Sequence, residues 1–92
     1  MVYERSVPWL WNRERWVLAL DGSGRLDVRP RITVFRVNGG WGVAVHLVGR
    51  VLWPSGTFDT DVAAKRAGLE EARRELGPRW SAAIDAALAE LA

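Results

Sequence analysis

The sequence predicts an α+β fold, an antiparallel meander of four or five strands followed by two C-terminal helices packed on one face. Three observations predict it. Residues 14–54 hold short β-like runs, alternating over 25–28, two-faced over 41–48 and dense in β-branched side chains over 31–37, and from residue 59 onward apolar residues recur at helical spacing. Gly, Asn and Pro punctuate the first region as turns do. No internal repeat or low-complexity linker divides the 92 residues, so a single domain covers 1–92.

Residues 1–13 form an N-terminal segment in which Pro8 argues against a central strand or a helix interior. Trp9 and Trp11, two apart, share a face if the chain is extended. The sheet is expected over 14–54. Residues 15–20 are a β-like run ending at the turn Asp21-Gly22-Ser23-Gly24. Residues 25–28 alternate like a half-buried strand. After Pro30, residues 31–37 are dense in β-branched side chains, and Asn38-Gly39-Gly40 marks a hairpin. The return strand, residues 41–48, places Trp41, Val43, Val45 and Leu47 on one face and Gly42, Ala44, His46 and Val48 on the other. Gly49-Arg50 reads as a turn into residues 51–53, and Pro54-Ser55-Gly56 closes the sheet.

A helix is predicted over 59–76, capped by Asp59 or Thr60 and carrying Val62, Leu69, Ala72 and Leu76 as a narrow apolar stripe. Gly77 reads as its C-cap and Pro78 as the first position of a second helix, 78–91. That helix spaces Trp80, Ala83, Ile84, Ala87, Leu88 and Leu91 along one face.

Composition narrows the function. Apolar residues make up 49% and charged residues 26%, which is globular rather than disordered. Cysteine is absent and His46 is the single histidine, so neither a disulfide framework nor a His- or thiolate-based metal site is expected. The longest uncharged run, residues 37–49, is too short to span a bilayer, and the first residues lack the apolar core of a signal peptide. A cytoplasmic protein with no membrane partner is the expectation. Its net charge is +2, and every cation but Lys65 is Arg. Arg exceeds acids over residues 1–58, and the reverse holds over 59–92.

An enzyme is not expected. Ser6, Ser23, Ser55 and Ser81 are scattered, and no elbow motif accompanies His46. Asp59 and Asp61 fit a helix start better than a Mg²⁺ site. Gly22-x-Gly24 lacks the rest of a phosphate-binding loop. No catalytic residue, metal or cofactor is assigned. The leading expectation is nucleic-acid binding, DNA ahead of RNA, through Arg25, Arg29, Arg31, Arg36 and Arg50 on or beside the sheet, with Trp53 stacking. Trp41, on an apolar face, is assigned to the core. The alternative is a protein-interaction module, a small phage- or plasmid-type regulator or inhibitor, or a homodimer. It would dock through Trp9, Trp11 and Trp80, with Trp53 as a fourth free indole.

Gly56-Thr57-Phe58-Asp59-Thr60, followed by Ala64, Arg66 and Ala67, resembles the end of a plant-type AP2/ERF DNA-binding domain, with Lys65 replacing an alanine of that pattern. Trp41-Gly42 followed by Val43-Ala44-Val45 is similar to the family's Trp-Gly and second strand. Arm-binding domains of phage-type integrases share the module. Gly49-Arg50-Val51-Leu52 and the Ala-rich helix are faintly similar to a double-stranded-RNA-binding domain. The AP2-type resemblance implies a three-stranded sheet backed by a helix, with Arg and Trp of the first two strands reading DNA. On the first of those strands only Arg31 and Arg36 match that role.

Overall fold

The computed structural model describes residues 9–91, so the expectations for residues 1–8 lie outside it. Five antiparallel strands form one sheet in the order of the chain: β1 (Leu10–Trp11), β2 (Arg15–Ala19), β3 (Arg31–Val37), β4 (Gly40–Leu47) and β5 (Arg50–Leu52). Helix α1 (Asp61–Glu75), a 3₁₀ turn (Pro78–Trp80) and α2 (Ser81–Leu91) follow. The α+β meander with two C-terminal helices is therefore the fold.

Two-residue loops set the register of the central hairpins. Asn38-Gly39 joins Val37 to its partner Gly40, and Val48-Gly49 joins Leu47 to Arg50. Val48 thus caps a hairpin tip, 83% exposed, instead of continuing the strand face as its alternation suggested. Phe58 then pairs back onto the start of β4, exchanging backbone hydrogen bonds with Trp41 at 2.8 and 2.9 Å.

Residues 25–28 are not a strand. Asp21 accepts a bond from the Ser23 N–H, Ser23 Oγ accepts from the Arg25 N–H, and Arg25 binds Asp27. Such local side-chain bonds compete with a ladder, and alternation alone supplies no partner strand. The fifth strand is instead β1, from the N-terminal segment.

One sheet face carries Leu18, Ile32, Val34, Val43 and Val45, joined by Leu20 and Leu47. Ala64, Leu69 and Ala72 of α1 and Ile84 and Ala87 of α2 close the core over it. Each fully buried Leu, Ile or Val stabilises by about 1.5–3 kcal/mol relative to exposure. The buried stripe of α1 is mostly small, and that lets the helix sit low. A Cβ at Gly68 would stand 2.7 Å from the Cγ2 atoms of both Ile32 and Val43, a spacing no side chain tolerates. Val62, expected in the stripe, is 38% exposed.

Thr60 caps α1, its Oγ1 accepting from the Ala63 N–H at 3.0 Å. At the other end Leu76 adopts an extended conformation and its N–H bonds Ala72, while Gly77 keeps a negative φ of −78°. Gly77 is therefore not a left-handed cap, because the chain passes directly into the Pro78 turn. Among the described residues no helix is long and apolar enough to cross a membrane.

Candidate nucleic-acid interface

The sheet face turned away from the core is built from alternate residues. Register places Ala19, Arg31, His46 and Val51 in one row, Val17, Thr33 and Ala44 in the next, and Arg15, Phe35 and Gly42 in a third. The middle of this face, Val17, Ala19, Thr33 and Ala44, is buried, and the accessible groups stand at its margins. Phe35 lies across Gly42, where a Cβ would meet its ring carbon at 2.8 Å. Its ring then meets Trp53 edge-on, centroids 6.4 Å apart. Trp53 remains 65% exposed.

Arg31 is the register partner of His46 on this face, and the charges of Arg29 and Arg15 also act on its imidazole. Burial first, then Arg31, Arg29 and Arg15, holds the imidazole below its ordinary pKa. Burial also lowers Arg31, reinforced by Arg29 and Arg15 and opposed by Asp27. Arg31 donates one bond, to the Val28 carbonyl at 3.2 Å. Among the described residues none of Arg15, Arg29 and Arg31 forms a salt bridge. At neutral pH the patch is cationic, with imidazole neutral at its centre.

The five arginines selected from the sequence do not share this face. Arg31 belongs to it, and Arg29 adjoins it from the β2–β3 loop. Arg25 is held by Asp27 in the β2–β3 loop. Arg36 is opposite Trp41 on the core side, its guanidinium carbon 5.1 Å from the indole centroid. Arg50 binds Glu75 of α1. Arg15 was missed, although counting by twos from Val17 and Ala19 leads to it. Phe35 and His46 complete the patch by the same count.

Indoles divide differently from the expectation. Trp9, Trp16, Trp41 and Trp80 pack against the core, so Trp9 and Trp80 are not free surface anchors. Trp11, 53% exposed, and Trp53 are. Trp11 leans on Trp16 with centroids 4.9 Å apart. The burial of Lys65 was not expected either: this α1 residue lies under two indoles, its Nζ 4.0 Å from the Trp16 centroid and 5.2 Å from that of Trp9. Among the described residues no group of three or more His, Asp and Glu is placed to hold a metal. Comparison with known proteins adds nothing to this geometry: no family model matches the chain, and no curated protein or solved structure matches it significantly.

Proposed function

We propose that the chain is a small non-enzymatic nucleic-acid-binding protein, DNA ahead of RNA, that works through the outer face of its sheet. One observation carries the reading. Arg31 stands beside His46 in register, and Arg15 stands opposite Phe35 on the same face, next to the Phe35–Trp53 pair. Neither they nor Arg29, whose charge also acts on the imidazole, have a carboxylate partner among the described residues. Guanidiniums bind phosphate oxygens in forked pairs, and an exposed indole offers a base a stacking surface. A β-ribbon can enter the major groove of DNA, whereas that of an RNA helix is too narrow. The AP2-type resemblance, also a sheet that reads DNA, points the same way.

Fluorescence anisotropy with a labelled duplex tests it. Arg15→Ala and Arg31→Ala should each weaken binding about tenfold at low salt. Each should also reduce the salt slope by about 0.9. Arg25→Ala, off the patch, should leave both unchanged. No binding at low salt, or equal losses in all three variants, would sink the proposal.

The exposed Trp11 at the sheet's edge keeps a second reading, protein docking or homodimerisation, in view. Light scattering that shows dimers dissolved by Trp11→Ser would favour it.

A further inference from the structure

A second cationic feature lies where three chain corners meet at one end of the sheet. The β2–β3 loop, the β4–β5 turn and the junction between α1 and α2 border an open cleft of about 510 Å³. That is the size of sites for small organic ligands. Arg29, Arg50 and Arg79 enter it, one from each corner, and Pro30 and Trp80 supply apolar wall. Asp21 is the single carboxylate among its described lining residues.

The local charge is already partly committed. Arg50 is engaged by Glu75. Asp21 accepts hydrogen bonds from Ser23, which keep its pKa low and the carboxylate occupied with its own turn. Arg29 and Arg79 have no carboxylate partner among the described residues, and the guanidinium carbon of Arg79 lies 5.1 Å from the Trp80 ring centroid. A cleft with two guanidiniums that lack a carboxylate partner, one of them lying over a partly buried indole, favours one ligand chemistry. A dianionic phosphate matches the forks, and a planar ring matches the indole. A lone carboxylate would use only one fork.

We propose that this cleft binds a phosphate monoester carried on a flat ring, of the nucleoside monophosphate class. Arg29 and Arg79 hold the phosphate, Arg79 swinging from the Trp80 ring to do so and leaving the indole to face the ligand's ring, and Arg50 closes the third corner. The ligand can be a free mononucleotide or the phosphorylated end of a strand. The cleft does not depend on the sheet-face reading, although Arg29 borders both.

Isothermal titration calorimetry on the full chain tests the cleft with adenosine 5′-monophosphate, adenosine, inorganic phosphate, and a dinucleotide with or without a 5′-phosphate. The monophosphate should bind at least about tenfold tighter than adenosine or phosphate. Arg79→Ala, a change at an exposed residue, should remove that advantage. If the 5′-phosphorylated dinucleotide binds as well, a strand end is accommodated; if only the mononucleotide binds, the free ligand is the source. A monophosphate that binds no tighter than phosphate, or an Arg79→Ala variant that binds as the parent does, overturns the proposal. Binding of long 5′-hydroxyl duplexes, sensitive to Arg15 and not to Arg79, reads the sheet face separately.

Discussion

Lys65 is the only lysine, and it is 8% exposed. Burial lowers its pKa, with Asp61 acting in the opposite direction from 3.8 Å, one helical turn away. The indoles of Trp16 and Trp9 receive the ammonium, and Trp9 gives up solvent for its own Nε1–H, which has no partner among the described residues. A desolvated cation contributes little net stability, whereas its four-carbon stem fills the space beside the rings. Lys65→Met should therefore keep stability within about 1 kcal/mol of the parent, and Lys65→Ala should lose about 2 kcal/mol. Urea denaturation separates the two; equal losses would show that the charge, not the stem, matters. Periodicity does not mark this residue as core, because a charged side chain beside a narrow apolar stripe ordinarily points to water; only its place at an alanine of the AP2-type pattern sets it apart. Only the arrival of Trp9 and Trp16 over α1 encloses it, and that is a tertiary fact.

Among the elements, the β1–β2 hairpin was the least legible. Trp11 pairs with Trp16, and Asn12 and Arg15 exchange backbone bonds at 2.8 and 3.2 Å around a two-residue loop. Both loop residues, Arg13 and Glu14, have positive φ, 51° and 65°. Such a turn normally announces itself with Asn-Gly, and here two long side chains occupy it. Left-handed backbone costs such residues about 1–2 kcal/mol each. Arg13→Asn with Glu14→Gly should accordingly raise the unfolding free energy by about 1–2 kcal/mol, read as a higher urea midpoint at an unchanged slope. No gain would mean that neighbours relieve the strain in the parent chain. The other hairpins were legible for the converse reason. Asn38-Gly39 and Gly49 supply turn chemistry, and β-branched alternation fixes which face each residue takes. Residues 25–28 misled because alternation reports a half-buried strand only if a neighbour pairs with it.

At the scale of the whole molecule, ion pairing concentrates on the helical side, although Arg36 and Arg79 have no carboxylate partner there among the described residues. On the helical side, Arg50 binds Glu75, Arg73 binds Asp85 between the helices, Arg74 binds Glu71, and Arg66 donates to the Leu91 carbonyl at 3.4 Å. The sheet's outer face carries Arg15 and Arg31, with Arg29 in the adjoining loop, and the charges of all three act on His46. This segregation ties fold stability and binding to the same proton with opposite signs. The imidazole's pKa in the folded chain lies below the ordinary 6.5, so the unfolded chain takes up its proton first. Its contribution to stability is complete above that value and is lost as pH falls through it toward the folded pKa. Phosphates seated on the guanidiniums reverse the balance: they cancel the repulsion felt by imidazolium and add an opposite charge beside it. Binding then raises the His46 pKa and takes up a proton, and each unit of that rise is tenfold in affinity. Duplex binding should tighten, on the order of three- to tenfold, between about pH 7.5 and 5.5, while the melting temperature of the free protein falls. His46→Gln should flatten both trends without abolishing binding. Anisotropy and thermal melts on the two proteins decide it. An affinity that stays level or weakens on acidification of the parent would place the nucleic acid away from His46, and with it away from this face.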